Sequence, residues 1–112
     1  MEIIEIRNYL IKKDKRNEFH HLVENASIPM LKRWNVTVIA YGKSIHDDNS
    51  YYLIRKYQSL KQRETSQNAF YNSEEWLNNY DDAIMRLIEN YTTSVIELDR
   101  FEQFFQGESR SL

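Results

Sequence analysis

Eight residues, 50–57, constrain the fold more than any other part of this 112-residue chain. Their sequence, SYYLIRKY, is typical of a strand, in which successive side chains point to opposite faces. One face carries Tyr51, Leu53, Arg55 and Tyr57, and the other carries Tyr52 and Ile54. An antiparallel sheet in a small domain usually leaves one face in water, but large side chains here occupy both. We therefore expect helices on one face and a partner or a lined cavity on the other.

Alternating and helical patterns around this segment predict the remaining elements. Expected in chain order are a strand at 3–11, a helix at 14–34, strands at 36–44 and 50–57, helices between 59 and 91, and a strand at 92–98. Asp14 and Ser59 are predicted N-caps, and Pro29 predicts a kink near residues 27–28. Asn35 is expected to close the first helix in the left-handed conformation, and the polar cluster at 46–49 predicts a hairpin turn.

The predicted order, strand, helix, strand, strand, helical region, strand, is that of an α+β ferredoxin-like fold with a four-stranded antiparallel sheet. We expect a single domain at residues 1–99 and a tail at 100–112 that packs on the domain or on a dimer partner. We assign the helix-covered face to Ile4, Ile6, Val38, Ala40, Tyr52 and Ile54. The open face then carries Glu5, Arg7, Tyr9, Ile39, Tyr41, Leu53, Arg55 and Tyr57. Two copies could pack their open faces together as a dimeric α+β barrel.

Composition excludes several classes of protein. The 15 basic and 17 acidic residues are interspersed and sum to a formal charge of −2, so we expect no nucleic-acid partner. Without cysteine, the chain can form neither a disulfide framework nor a cysteine-based zinc site. The first residues do not resemble a targeting peptide, and no apolar run approaches the roughly 20 residues of a membrane span. We therefore expect a cytoplasmic protein with no membrane partner.

The sequence gives little indication of a metal site or of a nucleotide-binding site. His20 and His21 are adjacent on one helix and would point in different directions, so we expect no metal site. His46 lies in the acidic turn, where a solvated residue is the more frequent case than a proton shuttle. Only two glycines are present, which leaves no glycine-rich phosphate loop, and we expect no cofactor.

Short motifs spaced along residues 2–98 resemble the NIPSNAP family. They are Glu5-Ile6-Arg7-Asn8-Tyr9, Ile28-Pro29, Tyr41-Gly42, residues 52–57, Arg63, Ser73-Glu74-Glu75-Trp76 and Tyr91-Thr92-Thr93. The chain departs from the family pattern at Lys13-Asp14, where proline and glycine are frequent, and at Leu53, where an aromatic residue is common. The resemblance implies a homodimer of the dimeric α/β barrel superfamily, whose members include cofactor-free monooxygenases and isomerases. The NIPSNAP branch itself has no settled activity.

The open face, as assigned above, gathers side chains suited to an anionic or phenolic ligand. The predicted ligand-binding residues are Arg7, Tyr9, Tyr41, Leu53, Arg55 and Tyr57. If a reaction occurs, Arg55 would stabilise an oxyanion, with Glu5 or Tyr57 handling the proton. Alternatively, Glu5 only pairs with Arg7 or Arg55, because buried charges need partners.

Two functions remain open on the sequence. The first is a small-molecule site in a barrel cavity, with or without cofactor-free oxygenase or isomerase-type activity. The second is a non-catalytic dimeric interaction module, in which the inward residues hold the dimer and the phenylalanines of the tail recruit a partner.

Overall fold

The structure is a computed structural model that describes residues 1–106. Its helices and strands are β1 Ile3–Ile11, α1 Arg16–Leu22, a π-helical segment Val23–Ser27, α2 Ile28–Arg33, β2 Thr37–Lys43, β3 Ser50–Tyr57, α3 Leu60–Tyr71, α4 Glu74–Asn79, α5 Asp81–Met85, β4 Ile88–Glu97 and α6 Leu98–Gln106. The predicted tail falls partly outside this range, at residues 107–112.

The four strands form one antiparallel sheet in the order β2-β3-β1-β4. This order confirms the predicted ferredoxin-like α+β fold. β1 lies in the centre beside β3, and the register places Glu5 directly opposite Arg55. The sheet therefore brings into contact two charged residues that are 50 positions apart in the chain.

The face that the helices cover is the opposite of the predicted one. Tyr9, Leu53 and Tyr57 belong to the buried core with the apolar side chains of α1, α2 and α3. The open face carries Ile6, Leu10, Tyr52 and Ile54, which are half-buried or exposed. The prediction was wrong because both sets of side chains are large, so alternation separates the two faces without deciding which one the helices cover. Glu5 and Arg55 are consequently buried inside one chain, and neither is exposed to a second copy.

A β-bulge in β2 interrupts the regular alternation of side chains between the two faces of the sheet. Val38 pairs with Arg55, whereas Ala40 pairs with Ile54, so one extra residue, Ile39, lies between the two pairs. Val38 is therefore on the helix-covered face and Ala40 on the open face, although they were expected together.

Several helix boundaries follow local chemistry. The Ser59 hydroxyl accepts from the Gln62 amide at 3.0 Å and caps α3, as expected. Asn35 adopts a φ of 61° beyond α2, which confirms its left-handed role. Asp14 is also left-handed, with a φ of 62°, so Lys15 is the N-cap of α1, contrary to expectation.

The second half of the chain was predicted less well. The regular apolar spacing from Ser73 onward predicted a helix to Tyr91, but α4 and α5 are short and β4 begins at Ile88. The sheet overrides the helical pattern here, since pairing with β1 extends as far as Ile88 opposite Ile11.

At the end of the described chain, α6 contacts β1 and β4. The Leu98 amide donates to the Glu2 carbonyl at 3.0 Å, and the Leu98 side chain is buried. This contact fixes the start of α6 on the sheet, and the packing of the tail at 100–112 stays a prediction. None of the helices within residues 1–106 is long and apolar enough to cross a membrane.

Candidate functional site

A cavity of about 340 Å³ lies between the sheet and the helices that cover it. Its volume is at the lower end of the roughly 300–1,000 Å³ typical of small-molecule sites. Most of its wall is apolar or aromatic, including Phe19, Val23, Leu31, Leu53, Phe70 and Ile84. Its polar wall includes Arg7, Gln67, Asn68 and Tyr71.

The π-helical segment forms part of this wall, through Val23 and Ser27. The Ile28 amide donates to the Val23 carbonyl, which is the i→i+5 bond of a π-helix. Pro29 follows at the start of α2 and has no amide hydrogen to donate to the preceding turn. The kink that Pro29 predicts is therefore a wide helical turn that places two side chains in the cavity.

A buried ion pair lies behind the polar wall. Glu5 and Arg55 have no exposed surface, and Glu5 Oε1 accepts from Arg55 Nε at 2.8 Å and from Nη2 at 2.5 Å. Arg55 Nη1 donates to the Tyr71 hydroxyl at 2.8 Å. The pair is thus connected to the cavity through Tyr71.

The second carboxylate oxygen of Glu5 accepts hydrogen bonds from three further side chains. Oε2 accepts from Arg63 Nε and Gln67 Nε2, both at 2.6 Å, and from Arg7 Nη2 at 3.3 Å. Arg63, Gln67 and Tyr71 are spaced four residues apart on α3, so they form one polar stripe that faces the sheet. Glu5 is therefore a structural counter-ion whose two oxygens are both fully engaged.

The environment of Glu5 keeps it ionised. Burial raises its pKa, but the positive charges of Arg55 and Arg7 and the hydrogen bond from Gln67 outweigh burial, and the pKa falls to about 2. A carboxylate this acidic and this fully hydrogen-bonded is a poor proton acceptor. The contacts of Glu5 are those of the pairing alternative, and its proton-handling role stays a prediction.

Arg7 is the cation that reaches the cavity. Its Nε is buried and has no hydrogen-bond partner among the described residues. Its guanidinium carbon lies 5.0 Å from the centre of the Tyr91 ring, in cation–π geometry. Tyr91 and Met85 line the cavity with 45% and 44% of their surface exposed, which places them at its mouth.

The predicted ligand-binding residues divide into two groups. Arg7, Tyr9 and Leu53 line the cavity. Arg55 and Tyr57 lie in the network behind it, where Gln67 Nε2 also donates to the Tyr57 hydroxyl at 3.1 Å. Tyr41 is near the surface and donates to Glu24 at 3.2 Å.

Two tyrosines of the cavity wall, Tyr9 and Tyr51, are neutral phenols. Burial raises the pKa of Tyr9 and of Tyr51 well above the usual value for a phenol. Tyr51 is fully buried, and its hydroxyl lies 2.6 Å from Nδ1 of His20. The described residues contain no cluster of three histidine or carboxylate ligands that could hold a metal ion.

Sequence reasoning missed Gln67 and Tyr71. It treated α3 as a mostly polar surface helix because only Leu60, Ala69 and Phe70 suggested anchors. The signal that could have found them is the four-residue spacing that continues from Arg63, which marks a polar stripe on one helix face. Such a stripe is expected where a helix covers a strand that carries buried charges.

Known structures with this fold include other proteins of similar length. The chain is 22% identical to a NIPSNAP family protein from Agrobacterium tumefaciens, with a TM-score of 0.78 over 86% of this chain and 91% of that one. It is 20% identical to an uncharacterized NIPSNAP-like domain protein from Burkholderia xenovorans, with a TM-score of 0.76 over 85% and 83%. A proposed antibiotic biosynthesis monooxygenase from Bordetella bronchiseptica is 14% identical, with a TM-score of 0.67 over 86% and 95%.

Identities this low establish a shared fold alone. No curated protein sequence matches the chain significantly. The NIPSNAP family model, in contrast, matches residues 4–101, which is most of the chain and nearly the whole of the span over which the motifs resemble it. The chain belongs to the NIPSNAP family.

Proposed function

We propose that this protein binds a small aromatic or apolar monoanion in the cavity between its helices and its sheet. The observation that carries the proposal is Arg7, a cation that lines an otherwise largely apolar cavity with its buried Nε unpaired. The Arg7 side chain is 12% exposed, so an oxyanion in the cavity would pair with the accessible part of its guanidinium, while Nε itself stays buried. The cavity replaces the barrel interior as the expected place of the ligand.

The charges around the cavity favour a single negative charge. Arg7, Arg55 and Arg63 all pair with Glu5, and Asp81 is a second carboxylate of the cavity wall, so these five side chains carry one positive charge in excess. Asp81 already accepts from the Trp76 indole at 2.8 Å. A carboxylate, phenolate or enolate would neutralise the excess, whereas a dianion would reverse it.

The apolar wall favours a flat ring system. Phe19, Phe70 and Trp76 present aromatic surface to the cavity, and ring–ring contacts hold Phe70 against Trp76 with centroids 5.4 Å apart. The modest volume suits one or two fused rings rather than a larger ligand. Arginine at one end and aromatic walls around the rest form an amphipathic site.

An enolate-type anion is the species through which binding at this site could lead to a catalysed reaction. Cofactor-free oxygenation and isomerisation both pass through such an anion, and Arg7 would stabilise it by charge and hydrogen bonding. The fold shared with a proposed monooxygenase supports this extension by analogy only. Binding of the anion is the primary proposal, and turnover is its extension.

Isothermal titration calorimetry with 2-naphthoate tests the primary proposal. We expect Arg7→Gln to weaken binding by about tenfold or more, because a hydrogen bond to a charged group contributes about 1.5–3 kcal/mol. Arg100→Gln is the matched control, since Arg100 is exposed on α6. Equal affinity in the wild type and Arg7→Gln, or no binding by the wild type, would refute the proposed site.

We also propose that the protein is a homodimer through its open sheet face. Ile6 and Ile54 pair across β1 and β3 on this face, Tyr52 is half-buried beside them, and Leu10 is 42% exposed. Apolar side chains on a sheet face without helices favour association with a second copy. In this arrangement the cavities lie within each subunit, on the far side of each sheet from the interface.

A further inference from the structure

We infer that Tyr71 is a second donor to the bound anion and that Arg55 positions its hydroxyl for this role. The inference rests on the proposed anion binding and assigns a residue that the sequence analysis did not consider. Tyr71 lines the same cavity as Arg7. An oxyanion between them would accept one hydrogen bond from the guanidinium and one from the phenol.

The geometry of the hydroxyl determines which way it can donate. Arg55 Nη1 donates to the Tyr71 oxygen at 2.8 Å, so that oxygen is the acceptor in this contact. A phenol also carries one proton of its own to donate. Among the described side chains, those of residues 1–103, none forms a further hydrogen bond with the Tyr71 hydroxyl, so its proton is available to a ligand in the cavity.

The surroundings hold this donor rigidly. Arg55 is fully buried, and two hydrogen bonds to Glu5 Oε1 fix its guanidinium. The Tyr71 ring packs edge-on against Phe70 and Trp76, with centroids 4.7 Å and 5.0 Å apart. The hydroxyl is therefore oriented before any ligand arrives, which lowers the cost of binding.

The charge of Arg55 also strengthens the donor. A phenol oxygen that accepts from a cation becomes a better O–H donor, because hydrogen bonds in a chain polarise one another. Arg55 would thus act on the ligand through Tyr71, as a positioning residue without direct contact. Two donors that converge on one oxyanion favour a ligand whose negative charge is on oxygen, such as a carboxylate, a phenolate or an enolate.

Titration of Tyr71→Phe with 2-naphthoate and with the neutral 2-naphthamide tests this role. We expect at least tenfold weaker binding of the naphthoate and a clearly smaller loss, about two- to fivefold, for the amide, because a hydrogen bond to a charged oxygen contributes more than one to a neutral carbonyl. Tyr80→Phe is the matched control: Tyr80 packs on Trp76 at 6.1 Å but does not line the cavity. A purely structural role would weaken binding of both compounds equally.

The outcomes separate the two proposals. If Arg7→Gln weakens naphthoate binding and Tyr71→Phe does not, the role of Tyr71 is refuted and the anion site stands. If the wild type binds no naphthoate, both proposals fail. A crystal structure of the wild type with 2-naphthoate adds a test that needs no folded variant. It should place one carboxylate oxygen within hydrogen-bond distance of the Tyr71 hydroxyl, and a carboxylate turned away from Tyr71 would overturn the inference.

Discussion

Replacement of Glu5 by glutamine should be among the most damaging single changes in this protein. Glu5 is the buried counter-ion of Arg55 and also accepts from Arg63 and Arg7. Glutamine keeps the size of the side chain and one acceptor oxygen but removes the negative charge. The variant would therefore leave three guanidinium groups around a neutral amide, with Arg55 fully buried.

The pKa of Glu5 gives the expected magnitude. The folded protein lowers this pKa from 4.5 to about 2. At 1.36 kcal/mol per pKa unit, the ionised form is favoured over a neutral one by about 3 kcal/mol. Measured losses for breaking a buried ion pair are similar, at about 3–5 kcal/mol. We expect Glu5→Gln to lower the free energy of unfolding by about 3 kcal/mol.

Urea denaturation at neutral pH, followed by circular dichroism, measures this loss. With a slope of about 1–3 kcal/mol per molar urea, the midpoint should fall by roughly 1–3 M. Glu18→Gln is the control, because Glu18 is exposed and its ion pair with Lys15, at 3.9 Å, lies on the surface. Such surface pairs contribute about 1 kcal/mol or less. A Glu5→Gln midpoint as close to the wild type as that of the control would refute the structural role of Glu5.

Two further predictions concern acid and the sheet faces. Because the pKa of Glu5 is about 2 when folded and 4.5 when free, its contribution is complete above about pH 4.5 and is lost as the pH falls toward 2. Urea midpoints between pH 6 and 2.5 should therefore fall more steeply for the wild type than for Glu5→Gln, and parallel curves would contradict this. Leu53→Asp should abolish folding, since it places a carboxylate in the core, whereas Ile54→Asp should keep the circular dichroism spectrum and convert a dimer to a monomer. Native mass spectrometry measures that conversion, and a dimer retained by Ile54→Asp would refute the open-face interface.

Much of the fold could be predicted from the sequence because its signals are local. Alternation located β1 and β3, the polar cluster at 46–49 located the hairpin, and Ser59 located the start of α3. The grouping of Glu5 with Arg55 on one face was also predicted, since strand alternation fixes which side chains share a face.

The side of the sheet that the helices cover could not be predicted in this way. Which face the helices cover depends on which set of large side chains packs better against α1 and α3. That packing is a property of the tertiary structure. Phe19 and Phe70 pack on the face that carries Arg55, and the polar stripe of α3 satisfies the charges there. The position of the cavity and the contacts of Gln67 and Tyr71 depend on which face is covered. Sequence reasoning therefore missed them as well.

The most direct test of the central claim is an NMR titration of the ¹⁵N-labelled protein with 2-naphthoate. The anion-binding cavity predicts shifts of the backbone amides around the mouth and the polar wall, above all at Arg7, Tyr71 and Tyr91. The same shifts in Arg7→Gln should need about tenfold or more higher concentrations of 2-naphthoate. Absence of shifts in the wild type, or shifts confined to Ile6, Tyr52 and Ile54 on the open face, would contradict a ligand site between the helices and the sheet.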